Sequence, residues 1–340
     1  MQPIFKTNLG KLFVGKCEEI LPQLASLKKE EGKARLLFTS PPFPLKRKKR
    51  YGNLHGEAYL KWLESLAVTF SNVVADDGSI VIEMGNAWEQ GRPVQSLLPL
   101  KALLRFVENK RAKLRLCQEF VCYNPARLPS PAQWVTIDRI RVKDAFTRLW
   151  WMAKQDRPEA DNRRVLKKYS QAMEKLLARK SYNAGKRPSE HVLSEAGFLK
   201  DNKGAIPPNV VQFDDDPPPE DFLEYSNTGS VENYQRFCRE NAITSHPARM
   251  PPKLAEFFIR FLTKPGDLVV DPFGGSNTVG HTAERLGRRW LTIEANELYA
   301  AASIARFDVG PAETQVKKLV PAAGAALAAK SGRARVKAAS

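Results

Sequence analysis

Three features of the chain predict a doubly wound α/β fold on a mostly parallel sheet. Apolar runs such as Leu36-Leu37-Phe38 and Leu268-Val269-Val270 are continuous, the pattern of strands buried on both faces. Segments with apolar residues at helical spacing stand between such runs, for instance Leu60, Leu63, Ala67 and Phe70. Pro- and Gly-rich stretches separate them, and strands alternating with helices in this way give a parallel sheet covered by helices. With 340 residues and 43% hydrophobic content, the chain suits one large domain with insertions or two small ones.

Taken in order, Lys11-Leu12-Phe13-Val14 is a short strand turned at Gly15. Glu18 to Leu27 places Ile20, Leu21, Leu24 and Leu27 on one helical face. The strand from Ala34 to Phe38 stops at Thr39-Ser40-Pro41-Pro42-Phe43. Each proline fixes φ and lacks an N–H, so the backbone leaves the sheet in a rigid, extended turn. Tyr59 to Val74 is a helix, Asp77-Gly78 a turn, and Ser79 to Met84 a strand. Leu97 to Phe106 is a helix; Phe120 to Tyr123, ended by Asn124-Pro125, and Phe146 to Met152 are strands. From about Ala153 to Ser245 the alternation is lost. Lys154 to Arg187 is polar and basic, and Asp214-Asp215-Asp216 runs into Pro217-Pro218-Pro219, which marks an inserted module. His246-Pro247-Ala248-Arg249 then leads into a helix from Lys253 to Thr263. The strand Leu268 to Asp271, the turn Pro272-Phe273-Gly274-Gly275-Ser276-Asn277-Thr278, the helix Val279 to Leu286 and the strand Trp290 to Glu294 complete the alternation.

Charge narrows the partner. The net charge is +17, from 54 Lys and Arg against 37 Asp and Glu, so a polyanion is the expected ligand. Five consecutive cations, Lys46-Arg47-Lys48-Lys49-Arg50, follow the proline turn. A phosphate-contacting lid and a plain solvated run both fit them. The four cysteines form no Cys-x-x-Cys pair, and with four histidines a metal site is not expected. The first residues carry no signal-peptide core, and no apolar run approaches the ~18 residues of a spanning helix. A reducing, cytoplasmic setting with no membrane contact is therefore expected.

Two stretches carry chemistry. Ser40 Oγ and Pro41 C=O are acceptors at the C-terminal end of a buried strand, and Phe43 offers a flat apolar face beside them. That set suits an exocyclic amino group on a flat heterocycle, although a strand ending in a Pro-rich loop explains the same five residues. In the second stretch, glycines let the backbone approach a ligand closely. Glu294 ends the following strand, where an acid can hydrogen-bond ribose hydroxyls as in dinucleotide folds. The glycines lack the Gly-x-Gly-x-x-Gly spacing, and His281 stands where a phosphate-binding loop needs Lys.

Ser40-Pro41-Pro42-Phe43 after a buried strand resembles motif IV of the S-adenosylmethionine-dependent DNA amino-methyltransferases, in the form typical of the cytosine-N4 branch. The Asp271 to Thr278 segment resembles their motif I, and His246-Pro247-Ala248 their motif X. Lys16 stands where the family usually has Asp, and Asn277 where Gly is commoner; Asn tolerates the left-handed conformation. The catalytic motif precedes the cofactor motif with the insertion between, the arrangement of the beta group found in bacterial restriction–modification systems. The resemblance covers roughly residues 8 to 308.

It implies a catalytic half at residues 1–154, a target-recognition region at 155–245, a cofactor-binding half at 246–309 and a basic, disordered tail at 310–340. Ser40, Pro41, Pro42 and Phe43 would act on a cytosine flipped from duplex DNA. S-adenosyl-L-methionine would be held by Asp271, Pro272, Phe273, Gly274, Gly275, Ser276, Asn277, Thr278, Glu294, Asn296, His246 and Pro247. Lys46, Arg47, Lys48, Lys49 and Arg50 would contact DNA. A cognate restriction endonuclease would act on the same site without direct contact. Adenine-N6 methylation, and a catalytically silent DNA-binding protein of the same fold, are the alternatives.

Overall fold

The computed structural model describes residues 2–24, 29, 32–44, 54–124, 127–194, 197–212, 227–240, 243, 245–247 and 249–307, with the backbone alone for 212 and 227–233. The basic run at 46–50, the Asp-Pro stretch at 214–219 and the tail at 310–340 lie outside these residues.

The first strands are β1 (Phe5–Lys6), β2 (Gly10–Val14), β3 (Ala34–Thr39) and β4 (Val74–Gly85). Helix α1 (Cys17–Ile20) follows β2, and α2 (Gly56–Val73) precedes β4. Next come α3 (Leu98–Val107), β5 (Arg115–Tyr123) and β6 (Phe146–Ala153). The insertion supplies α4 (Gln171–Arg179), a small hairpin of β7 (Gly185–Lys186) with β8 (Val192–Leu193), β9 (Val210–Gln212) and α5 (Asn227–Glu240). The chain closes with α6 (Pro252–Leu262), β10 (Leu268–Asp271), α7 (Thr278–Arg285), β11 (Arg289–Glu294) and α8 (Glu297–Ser303).

Among the described residues, nine strands form one sheet in the order β1-β2-β11-β10-β3-β4-β6-β5-β9. Every neighbouring pair from β2 to β4 is parallel, and β6 runs antiparallel between β4 and β5. The expected doubly wound, mostly parallel sheet is what the chain builds. Alternating side chains send each central strand's residues into two layers. Leu36, Phe38, Val81, Val269 and Trp290 pack with Phe258 of α6 on one face. Leu37, Ile80, Ile82, Val270 and Leu291 pack with Leu63 and Phe70 of α2 on the other. No helix among the described residues is long and apolar enough to cross a membrane.

Three elements differ from expectation. The helix expected from Glu18 to Leu27 is one turn long and gives way to a 3-10 turn at Leu21–Gln23; Pro22 lies in that turn, and Leu24 is already extended. Asp77-Gly78 is not a turn but an irregularity inside β4, where Ala34 pairs with Val74 and Leu36 with Ser79. A Cβ on Gly78 would lie 2.9 Å from the Ala34 carbonyl oxygen, so glycine permits this backbone approach. The insertion also carries a strand that was not expected, β9, which pairs in parallel with β5 at the sheet edge.

Candidate active site

The topology brings the two sequence motifs side by side. β3 and β10 are parallel neighbours, with Leu37 paired to Val270, so the proline turn and the glycine turn leave the sheet at the same edge. Thr39 Oγ1 donates a buried 2.7 Å hydrogen bond to Asp271 Oδ1 and ties the two strand ends together. A cavity of about 500 Å³ opens there. Ser40, Pro41, Pro42 and Phe43 line it together with Asp271, Pro272, Phe273, Gly274, Gly275, Ser276, Thr278, Glu294 and His246.

The glycine turn is held around Glu294. Gly275 N–H donates to Glu294 Oε2 at 2.8 Å, and Asn296 N–H to Oε1 at 2.7 Å. Gly275 has φ +52°, which favours glycine, and a Cβ there would press on the His246 ring at 3.0 Å. His246 stands edge-on to Tyr299, ring centres 4.8 Å apart. Phe273 meets Trp62 edge-on at 5.7 Å, forming an aromatic wall.

Burial sets the acid–base character. It pushes the Asp271 carboxyl up to about 7; hydrogen bonds from Thr39 and the Phe273 N–H pull it down, and the Glu294 charge adds to the rise. Burial likewise raises Glu294, against the pull of its backbone N–H donors. Two carboxyls disfavoured as anions face a space suited to a cation.

Among the described residues, three of those predicted to hold the cofactor do not line the cavity. Asn277 takes the expected left-handed conformation, φ +55°, but its Oδ1 accepts from Thr292 Oγ1 at 2.8 Å within the core. The Asn296 side chain caps α8, accepting from the N–H groups of Leu298 and Tyr299, and serves the cavity only through its own N–H. Pro247 is exposed. Lys16, the departure from the family pattern, lines the cavity and pairs with Glu19 at 3.7 Å.

Sequence reasoning missed the polar floor beneath Ser40. Glu83 of β4 lines the cavity and is 8% exposed. Thr147 Oγ1 donates to its Oε1 at 2.9 Å. Burial raises the Glu83 carboxyl, while hydrogen bonds from Thr147 and Ser40 and the charge of Arg127 oppose the rise. The signal was present as one acid in the apolar strand Ile80-Val81-Ile82-Glu83-Met84. Arg127 also lines the cavity and donates to the Phe146 carbonyl at 3.0 Å. Phe43 sits against the end of β4, where a Cβ on Gly85 would come within 2.6 Å of its ring.

A second cluster, in which Arg306 was not foreseen, ties residues of the insertion to the glycine turn. The buried Arg306 guanidinium donates to the Ser276 carbonyl and, at 3.1 Å, to Ser276 Oγ. It lies 4.8 Å from the ring centre of Tyr234 on α5. The Tyr234 hydroxyl accepts the His246 N–H at 3.0 Å.

Comparison with known proteins agrees with this architecture. The DNA methylase family model for N6 and N4 enzymes matches residues 34–305. The chain belongs to this family. It is 40% identical over 308 residues to the type II methyltransferase M.PvuII of Proteus hauseri, covering 90% of this chain and 86% of that one. The DNA adenine methyltransferase YhdJ of Escherichia coli (strain K12) is 33% identical over 93 residues, 27% of this chain and 32% of that one. The solved structure of the cytosine-N4-specific PvuII DNA methyltransferase superposes with a TM-score of 0.70 at 33% identity, covering 94% of this chain and 95% of that chain.

Proposed function

We propose that this chain is a site-specific DNA methyltransferase that transfers a methyl group from S-adenosyl-L-methionine to N4 of cytosine in duplex DNA, within a restriction–modification system. The supporting observation is that the Ser40 and Pro41 acceptors and the Phe43 ring share one cavity with the acid-flanked glycine turn. Near full-length similarity to a cytosine-N4-specific enzyme favours cytosine over adenine. Ser40 and Phe43 agree: an Asp would be a fixed anionic acceptor, and a Tyr would add a hydroxyl.

The cavity fits the cofactor. Asp271 and Glu294 suit a cationic ligand bearing ribose hydroxyls, the Phe273 and Trp62 wall suits a flat ring, and Gly275 leaves room for close approach. When bound, the cofactor supplies an electrophilic methyl group on a sulfonium.

The chain's own part is to hold the amine, direct its lone pair and receive its proton. The N4 lone pair of cytosine is delocalised into the ring. Acceptance of its two N–H groups by Ser40 Oγ and the Pro41 carbonyl localises that pair on nitrogen, and orientation contributes much of the rate. Ser40 donates its own proton to Glu83, which fixes the hydroxyl and turns its lone pairs to the cavity. Glu83, its carboxyl raised by burial, then takes the surplus amine proton through Ser40, while Thr147 keeps it in place. The target base must leave the stack to reach this depth, and Phe43 receives its face.

Residues 155–245 would choose the sequence, and the cations at 46–50 would contact phosphate. A cognate endonuclease cutting the same sequence would need no contact with this chain. The reading is tested by transfer of labelled methyl groups to plasmid DNA. Ser40→Ala and Glu83→Gln should each slow single-turnover transfer by about 10²-fold or more while cofactor affinity holds. Transfer at the parental rate in both variants would remove the proposed roles.

A further inference from the structure

The connection from Tyr123 of β5 to Phe146 of β6 is not used by the chemistry above. Pairing of Tyr123 with Phe146 and of Gly85 with Thr147 places it at the C-terminal edge of β4, the edge on which the cavity opens. Arg127 near its start and Thr147 just past its end both line that cavity. Between them it exposes four large apolar residues: Leu128 by 80%, Ile137 by 67%, Ile140 by 51% and Val142 by 87%. A single exposed apolar side chain is ordinary, but four on one connection beside an active site mark a surface that something covers.

We propose that this connection covers itself with the substrate duplex: its apolar tips enter the base stack beside the target and occupy the gap left by the extruded base. The proposal rests on the DNA methyltransferase assignment. Three observations favour duplex DNA over an apolar protein partner. Arg139, Arg141 and Lys143 alternate with the exposed apolar residues, which matches a ligand with an apolar stack inside a polyanionic rim. The two acids of the segment are engaged within the chain. Asp138 Oδ1 accepts from Gln133 Nε2 at 2.9 Å, and Asp144 Oδ1 accepts from Asn86 Nδ2 at 2.8 Å. Arg127, next to Leu128 in the chain, also lines the cavity that must receive the flipped base. The connection is held as well as placed: Arg141 Nε donates to the Pro93 carbonyl at 3.0 Å, and Arg127 to the Phe146 carbonyl at 3.0 Å. An extruded base leaves a hole between two apolar ring faces, and apolar side chains fill such a hole better than water.

The test uses the full chain carrying Leu128→Ser, Ile137→Ser and Val142→Ser together, on the sequence the parent methylates in plasmid DNA. Two duplexes are compared, one with the target cytosine paired and one with an abasic site opposite it, where extrusion costs less. The expected result is a loss of about tenfold or more in single-turnover rate on the paired duplex and within about threefold on the abasic one. Equal losses on both, or none on either, overturn the proposal. In parallel, the full chain with Val142→benzoylphenylalanine is irradiated with duplex DNA. Cross-links to DNA are expected; cross-links only to a second copy of the chain overturn the proposal. A parent that transfers no methyl group defeats the methyltransferase assignment instead, and the cross-link then decides the connection's role alone.

Discussion

Asp271 should make cofactor binding depend on pH. Its carboxyl is 4% exposed and pushed up to about 7, chiefly by burial. S-adenosylmethionine carries a sulfonium and an ammonium, and either charge favours the ionised carboxylate. Binding should therefore expel a proton wherever the free protein holds one. With a pKa of about 7, roughly a tenth of the sites are ionised at pH 6 and nearly all at pH 8. Affinity should tighten by roughly tenfold between those values, about 1.4 kcal/mol. Calorimetric titration in two buffers of different ionisation heat measures both quantities. Close to one proton should be released at pH 6 and close to none at pH 8. Asp271→Asn should bind roughly tenfold to a hundredfold more weakly at pH 8, with the pH slope removed. Affinity that is flat from pH 6 to 8, or an unchanged slope in the variant, would refute the reasoning. Stability of the unliganded protein should move the opposite way. A carboxyl raised in the folded state holds a proton that the unfolded chain has lost, so the native state is favoured at low pH. That contribution is full below about pH 4 and lost as pH rises through about 7, at most about 4 kcal/mol in all. The parent's Tm should fall from pH 5 to 8 by more than that of Asp271→Asn.

Three further outcomes are expected. Gly85→Ala places a Cβ 2.6 Å from Phe43 and should displace the ring, lowering kcat by about tenfold while calorimetric cofactor affinity stays at the parental value. Replacing Lys46, Arg47, Lys48, Lys49 and Arg50 by Ser should weaken binding to all duplex sequences alike. It should also flatten the salt dependence by about 0.9 log unit for each phosphate no longer neutralised, and an unchanged slope with altered sequence preference would contradict it. Exchange of residues 155–245 with a relative of different specificity should carry the new target sequence, as read by sequencing methylated plasmid; a chimera faithful to the old target would place recognition elsewhere.

Both motifs were legible because punctuation marks them. Two prolines end β3, and a run of glycines follows β10, so each break reads directly from sequence. What joins them was not legible, because no local pattern shows that Thr39 and Asp271 meet across neighbouring strands. Glu83 was visible as a lone acid in a buried strand, yet its role emerged only when β6 brought Thr147 to it. The resemblance assigns Asn296 to the cofactor, but its side chain obeys a local rule: it caps the helix beginning at Glu297. The strand β9 was missed because three residues inside a polar, proline-rich insertion carry no periodicity.

The central claim is the identity of the modified base. Duplex DNA incubated with the chain and methyl-labelled S-adenosylmethionine is digested to nucleosides and separated. Label in N4-methyl-2′-deoxycytidine is the expected result. Label in N6-methyl-2′-deoxyadenosine or 5-methyl-2′-deoxycytidine, or no label in any nucleoside, would contradict it.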